Sequence, residues 1–388
     1  MEVYILDDFL RRTAVVDLYE SLIWTDRYAD KGDFELVVPS LSQHRRLLVP
    51  GKQLALTDSD RVMTIETSDI KTDSEGRTLL TATGVSLEQM LEDRIATDGV
   101  SWMTESGKWV VPGTPGNVCR EIFKLICIDG ALNIGDIIPF IQQGAYYPAG
   151  SIPETAQEFA FEIPIGTLYK AVQDICKMYD LGFRLVRAGD TSKLHFEIYT
   201  GDDRTTQQSV RTPVIFSPDL DNLQNVSEMM SIAGTKNMAY VFSKTSSLIV
   251  YGNDAGPDTA GFDRRVLHVD ASDIDEAETP AVRDALMYQK GAEALAAHRP
   301  LTAFDGEINQ YSKYKYMRDY RLGDLVEMRN SDGATNHMRV TEQIFVSDAQ
   351  GDRSYPTLTF NRLITPGSWD SWGNETWDGG DPDDVWDE

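Results

Sequence analysis

Histidines, cysteines and carboxylates are the side chains that could carry chemistry here, and their spacing gives little support for a catalytic site. The five histidines form no His-x-x-x-His pair and no Cys/His cluster that would predict zinc. A Gly-x-Ser-x-Gly nucleophile elbow and a Gly-x-x-x-x-Gly-Lys phosphate loop are also absent from the sequence. The 62 acidic residues offer too many glycosidase-like carboxylate pairs for any one pair to be informative. We therefore predict a protein that is not an enzyme and that needs no metal or cofactor.

The net charge of −26 argues against two classes of partner. A sequence-independent nucleic-acid binder needs basic residues that displace counterions, and a peripheral protein on anionic lipid needs a basic surface. No apolar run approaches the ~18 residues of a membrane span, and no signal peptide is visible at the N-terminus. We expect Cys119, Cys127 and Cys176 to be buried free thiols in a protein made in a reducing cytosol.

A locally basic and aromatic run lies within this acidic chain, between positions 311 and 321. Its candidate surface residues are Tyr311, Lys313, Tyr314, Lys315, Tyr316 and Arg318. One interpretation is a stacking surface for sugar or nucleic acid. A second is a strand with tyrosines on one face and cations on the other, and a third is a contact with an acidic neighbouring subunit.

The last 22 residues, 367–388, differ in kind from the rest of the chain. They carry eight acidic residues, no basic ones and almost no aliphatic side chains. Four of the seven tryptophans are here: Trp369, Trp372, Trp377 and Trp386. The segment is either a disordered solubilising extension or a set of tryptophan anchors that dock on a partner.

Hydrophobic periodicity predicts the elements that must position these segments. The first 90 residues read as short strands, with a hairpin formed by Leu22–Tyr28 and Asp33–Val38. The clearest helix is Ile165–Tyr179, whose apolar residues form one stripe. Thr279 and Pro280 begin a second, alanine-rich helix over Ala281–His298. Strands are also predicted at 240–243 and 248–251.

Two segments of the chain match in order and predict an internal repeat. Gly51–Asp60 corresponds to Gly323–Asp332, and each copy continues through an Arg-Val pair to a turn that ends in glycine, Gly76 or Gly351. The order strand, turn, strand, turn, strand favours two related β modules. The alternative is that any two β meanders look alike at low identity.

These residues resemble a known family. Ser21–Tyr28 followed by Gly32–Pro39 resembles the opening of siphophage minor tail proteins of the tail-tip or baseplate hub family. Tyr320–Val326 and Gly351–Pro356 resemble the second-barrel signature of such hubs. The family is similar to the central baseplate hub of contractile-tailed phages, and the tryptophan-rich tail has no counterpart in it.

The resemblance implies a mainly β fold with α+β insertions and two small tube-like β-barrels. With the repeat, it predicts five parts: a first barrel at 1–90, an inserted α+β domain at 91–210, a second barrel at 211–260 and 300–365, a helical insertion at 261–299, and the acidic tail at 366–388. It also implies a homotrimeric ring in the virion tail tip, below the tail tube and lining the DNA exit channel.

The neighbours implied by the resemblance are a distal tail protein above and tip, fibre or tape-measure proteins beside the ring. DNA would only pass through the lumen, without specific binding, and this chain would insert into no membrane. The competing hypothesis is a carbohydrate-directed β protein, either a cell-wall hydrolase or a receptor-binding module. The internal repeat and the lack of a catalytic motif favour the structural hub.

Overall fold

The computed structural model describes residues 1–100, 109–138, 140–143, 159–187, 193–252, 255–274, 279–308, 313–329 and 335–359, with the backbone alone at 143, 224–228 and 301–308. The fold is mainly β, as predicted. The strands are β1 (Val3–Leu6), β2 (Arg12–Val16), β3 (Ser21–Arg27), β4 (Asp33–Pro39), β5 (Gln53–Leu56), β6 (Val62–Thr72), β7 (Thr78–Ser86), β8 (Trp109–Gly113), β9 (Ile141–Gln143), β10 (Phe159–Ile163), β11 (Gly182–Arg187), β12 (Leu194–Tyr199), β13 (Ile215–Phe216), β14 (Leu223–Ser231), β15 (Met238–Phe242), β16 (Ser247–Tyr251), β17 (Val266–Asp270), β18 (Leu301–Ile308), β19 (Leu325–Arg329), β20 (Thr335–Asp348) and β21 (Gly351–Thr359).

The α-helices of the described residues are α1 (Ser42–Leu47), α2 (Pro115–Phe123), α3 (Leu168–Met178) and α4 (Pro280–Ala296). The predicted start of α4 is confirmed in detail, because the side chain of Thr279 accepts a hydrogen bond from the backbone N–H of Val282. The helix predicted over Ile165–Tyr179 begins later, at Leu168, where the side chain of Thr167 accepts a hydrogen bond from the backbone N–H of Lys170. α2 is followed directly by a π-helical turn, Lys124–Ile128. All three cysteines are buried thiols, as predicted, and none of them forms a disulfide.

One large sheet runs through both predicted β modules. In the described residues its strand order is β14-β18-β21-β20-β3-β4-β7-β6-β5-β1-β2, with β19 on β20 and β13 on β19. The two matched segments form the same antiparallel meander, β5-β6-β7 in the first and β19-β20-β21 in the second. Both ends of the strand path are open, so the expected pair of closed barrels is not confirmed.

The long strand β20 joins the two modules. Along one edge its first residues pair with β19 and its later residues, Glu342–Ser347, pair with β3, while β21 follows the opposite edge. The repeat had suggested that the modules are separate, but the backbone of β3 completes the sheet of the second module. The two β modules are therefore hydrogen-bonded to each other within one chain.

Residues 238–251 do not lie in the predicted sheet. They were expected in the second β module, but β15 and β16 form a separate three-stranded sheet with β17. The physical reason is that their apolar face is covered by α4, which forms a compact core with Val241 and Val250. The predicted domain boundaries themselves stay a prediction.

The inserted segment between the modules packs α2 and α3 against the β11-β12 hairpin. Phe123 of α2 stacks on Phe196 of β12 with ring centroids 3.9 Å apart, and Tyr169 of α3 contacts Phe183 of β11 edge to face. Its core is continuous with Leu6, Val62 and other side chains of the first β module. The insertion is thus bound to the main sheet through a shared apolar core.

A buried ionic network reinforces that contact. Arg61 and Glu88, both almost fully buried, form an ion pair in the first module, and Glu88 also accepts a hydrogen bond of 2.8 Å from the backbone N–H of Leu185 in β11. Arg184, the residue before it, pairs with Asp60 at 2.6 Å. Because a lone buried charge is costly, each partner fixes the position of the others.

Asp26 lies at the edge of this network and titrates abnormally. Its carboxylate accepts hydrogen bonds from Trp24 Nε1 at 2.9 Å and Ser59 Oγ at 2.7 Å. Burial raises the pKa of Asp26 to about 7, although the positive charge of Arg61 acts in the opposite direction.

We predict that Asp26→Asn removes a pH dependence of stability. The pKa of Asp26 in the folded chain lies above its unfolded-state value, so the folded chain binds this proton more tightly than the unfolded chain does. Proton binding therefore stabilises the fold fully below about pH 4, and this stabilisation is lost as the pH rises through about 7. The free energy of unfolding of the native chain should therefore fall relative to that of the variant, by at most about 1.4 kcal/mol per pH unit.

Urea unfolding at several pH values between 4 and 8 measures this difference. Asp8→Asn, the same substitution on a side chain that is 92% exposed, is the control. A constant difference between native chain and Asp26→Asn over that range would contradict the prediction.

Candidate functional site

The place where all parts of the described chain meet is the branch point on β20. Residue Tyr28, just after β3, donates its backbone N–H to the carbonyl of Thr341 at 2.9 Å. Gly323, just before β19, donates its N–H to the carbonyl of Val340 at 2.8 Å. Two chain segments thus leave the same edge of β20 at adjacent residues, and we call this place the junction.

The side chain of Arg339 fills the interior of the junction. Its guanidinium Nη2 lies 2.5 Å from Asp180 Oδ2, its Nη1 donates to the carbonyl of Gly323, and its charge lies 5.5 Å from the ring centroid of Tyr28. The Tyr28 hydroxyl lies 3.0 Å from the carbonyl oxygen of Asp180 and 3.1 Å from that of Tyr199. One arginine and one tyrosine therefore connect both β modules with the inserted domain.

Two glycines are required by the closeness of these segments. A Cβ at Gly201 would lie 1.8 Å from the carbonyl oxygen of Gly323. A Cβ at Gly323, which also has φ +88°, would lie 2.5 Å from the ring of Tyr28. The glycine in the segment Tyr320–Val326 is thus explained by backbone contact at the junction.

The other polar residues of that segment also have structural partners. The carboxylate of Asp324 accepts backbone N–H groups of Asp202 at 2.8 Å and Arg321 at 3.0 Å, and burial raises its pKa to about 6. Tyr320 is buried and its hydroxyl donates to Gln343 Oε1 at 3.0 Å. The segment is thus a folding element of the junction.

The basic and aromatic run 311–321 divides into core and surface. Tyr314 is buried against Phe216, and Tyr316 packs against Phe345 with ring centroids 5.6 Å apart. Lys313, Lys315 and Arg318 are exposed, whereas Tyr311 lies outside the described residues. The second interpretation placed the tyrosines and the cations on opposite faces of a strand. The described tyrosines and cations are indeed separated, but by a turn at Met317 with φ +65° and not by a strand.

A role of these cations in a contact between subunits stays a prediction. Arg318 borders a cavity of about 360 Å³ that the sequence did not predict, because the arginines of this cavity are distant in sequence. The arginines that line it are Arg184, Arg204, Arg211, Arg318 and Arg321. Glu197, Asp202 and Asp324 also line it, and ion pairs with carboxylates compensate the first three arginines.

Three further predictions concern metal sites, membrane spans and the tryptophans of the C-terminal segment. In the described ranges no three His, Cys, Asp or Glu side chains lie close enough to hold a metal ion. No α-helix among those ranges has the length and hydropathy of a membrane span. The four tail tryptophans, Trp369, Trp372, Trp377 and Trp386, lie outside the described residues.

Solved structures of tail proteins share this fold at low sequence identity. A tail protein from Neisseria meningitidis aligns with TM-score 0.58 and 13% identity over 94% of this chain and 98% of its own. The 43 kDa tail protein of prophage MuSo2 from Shewanella oneidensis aligns with TM-score 0.54 and 12% identity over 92% and 98%. The prophage tail protein gp18 from Listeria monocytogenes gives 0.51 and 10% over 93% and 95%.

No curated protein matches the sequence. A family model does match, and it covers residues 2–358, which include the β20 junction and both β modules. The family is one of phage tail proteins, which are components of the virion. The chain therefore belongs to the Siphovirus ReqiPepy6 Gp37-like protein family.

Proposed function

We propose that this chain is the structural hub of a phage tail tip, in which three copies form a ring below the tail tube. The observation that carries the proposal is the open sheet that passes through both β modules and ends in two edge strands. The ring connects the distal tail protein to the tip, fibre or tape-measure proteins and lines the DNA exit channel.

The two ends of the sheet supply a head-to-tail contact. Within the described residues β2 pairs only with β1, and β14 pairs only with β18. Two different edges on one chain make a heterologous interface, and such an interface closes into a ring when the rotation between copies permits it. Pairing or covering these edges in the ring also removes surfaces that would otherwise aggregate.

The two meanders support a threefold ring. Each chain contributes β5-β6-β7 and β19-β20-β21, so three copies present six similar modules. A ring of six modules matches the six-membered rings of the tail tube that the family resemblance implies. The net charge of −26 per copy suits a lumen that DNA traverses without adhering.

The carbohydrate-directed alternative has less support. That hypothesis needs the tyrosines of the run 311–321 to form an exposed surface on which a sugar stacks. Tyr314 and Tyr320, however, are buried in the core of the second module. Their rings contact Phe216 and so present no face to a sugar.

We predict a trimer by native mass spectrometry of the purified chain, or three copies per ring in an image of the tip. Because each copy carries a charge of −26, the ring should dissociate more readily at low ionic strength than near physiological salt, where the Debye length is about 8 Å. Six copies per ring, or dissociation that increases with salt, would contradict this assignment.

We predict that Met230→Lys weakens the ring. Met230 lies on the edge strand β14 and is 72% exposed, and a lysine on an edge strand opposes further pairing. The cost should be roughly 1 kcal/mol per interface, measured as a shift of the monomer–trimer equilibrium by analytical ultracentrifugation. Val210→Lys, at an 89% exposed position outside the strands, makes the same charge change and should leave the equilibrium in place.

We also predict that the assembled protein does not hydrolyse peptidoglycan. The reason is that the sequence lacks a nucleophile–base motif and that the described residues hold no metal-ligand cluster. Release of soluble fragments from purified host cell wall is the measurement. Release that a single carboxylate substitution abolishes without unfolding the chain would favour the hydrolase alternative.

A further inference from the structure

The three-stranded sheet β16-β15-β17 has two faces with different surroundings. On one face Val241 and Val250 pack against α4, so closely that a Cβ at Gly291 would lie 2.5 Å from Val250. Side chains alternate along a strand, so the neighbouring residues of β15 and β16 point to the opposite face. The described residues of the chain leave that opposite face largely open to solvent.

That second face is aromatic. The strand register places Tyr240 between Ile249 and His268, and Phe242 one row further along. Phe242 and Ile249 are 44% and 43% exposed, and the Phe242 ring stacks on His268 with centroids 5.4 Å apart. We call Tyr240, Phe242, Ile249 and His268 the aromatic face.

Two exposed cations, Arg264 and Lys244, lie at the border of the aromatic face. The Arg264 guanidinium donates to the Tyr240 hydroxyl and lies 5.8 Å from the ring centroid of Tyr240. Lys244, in the turn between β15 and β16, is exposed. Within the part of the chain that the structure describes, no carboxylate lies within 4.0 Å of the charged atoms of either residue. Asp270 is the acidic residue of the same face, and it is bonded to the Ser272 backbone N–H.

We propose that the aromatic face is the docking site of the chain's own C-terminal segment, 367–388. The segment has the complementary composition, with four tryptophans, eight acidic residues and no basic ones. Three of its tryptophans are followed directly by aspartate, at Trp369, Trp377 and Trp386. An indole stacked on the aromatic face thus brings a carboxylate toward Arg264 or Lys244, which combines ring contact with charge attraction.

The segment is long enough to reach this site. The described chain ends at Thr359 in β21, which pairs with β18, and β18 follows α4 directly behind the sheet of the aromatic face. The 27 residues from there to Trp386 span up to about 90 Å when extended. Tryptophan is also the residue type that most often anchors a docked segment.

Hydroxyl-radical footprinting of the intact chain, read by mass spectrometry, tests the proposal at both partners. We expect the four tail tryptophans to oxidise several-fold more slowly than in the free peptide 367–388. The double substitution Phe242→Ser with Ile249→Ser should restore the free-peptide rate, and so should Arg264→Glu, an exposed charge reversal that leaves the core of the sheet intact. Phe262→Ser, at a fully exposed phenylalanine off the strands, is the matched control and should change nothing.

The reciprocal variant replaces the four tail tryptophans by serine. In that chain Phe242 and His268 should become several-fold more reactive, while circular dichroism remains that of the native protein. Tail tryptophans that react at the free-peptide rate in the native chain would overturn the proposal. Protection that persists in both face variants, or a face that stays protected without the tryptophans, would overturn it as well.

Discussion

The rest of the structure depends on one strand edge that serves two partners. β20 gives the first part of its edge to β19 and the second part to β3, so both neighbours must depart at Val340 and Thr341. A departure of two chains at one point leaves little space, and Gly201 and Gly323 provide it. Arg339 donates to the carbonyl of Gly323, and the Tyr28 hydroxyl lies within hydrogen-bond distance of the carbonyls of Asp180 and Tyr199 in the inserted segment. The junction is therefore a consequence of hydrogen-bond satisfaction in a branched sheet.

Buried charge has the same role at the second contact between the parts. Arg61–Glu88 and Arg339–Asp180 are each almost fully buried, which adds little net stability because desolvation offsets the attraction. Loss of one partner, however, leaves an isolated charge in the interior, so each pair permits only one arrangement of its elements. Arg339–Asp180 connects the second module with the inserted segment, and Glu88 of the first pair reaches that segment through the backbone N–H of Leu185. Charge placed in this way fixes the relative positions of the β modules and the insertion.

Local elements were predictable and long-range pairing was not. The β3-β4 hairpin followed from alternation around a glycine-containing loop, and α4 followed from Thr279 and Pro280, because these signals lie within a few residues. The pairing of β3 with β20 joins residues more than 300 positions apart, and no local pattern carries it. The buried Tyr314 and the removal of β15 and β16 to a separate sheet were missed for the same reason. Tyrosine next to lysine looks the same in a surface strand and in a core turn, and only the position of Phe216 decides between them.

The two ends of the branched sheet are not equivalent, and this difference bears on how copies meet. β2 is five residues long and carries the exposed cation Arg12, stacked over Tyr4 at 4.1 Å, which are features of an edge protected from further pairing. β14 is nine residues long and presents Met229 and Met230 to solvent without such protection in the described residues. A long edge with exposed methionines is unfavourable in a free monomer, whereas a short charged one is tolerated. In the proposed ring the surface that most needs covering therefore lies on β14, whereas β2 tolerates solvent without a partner.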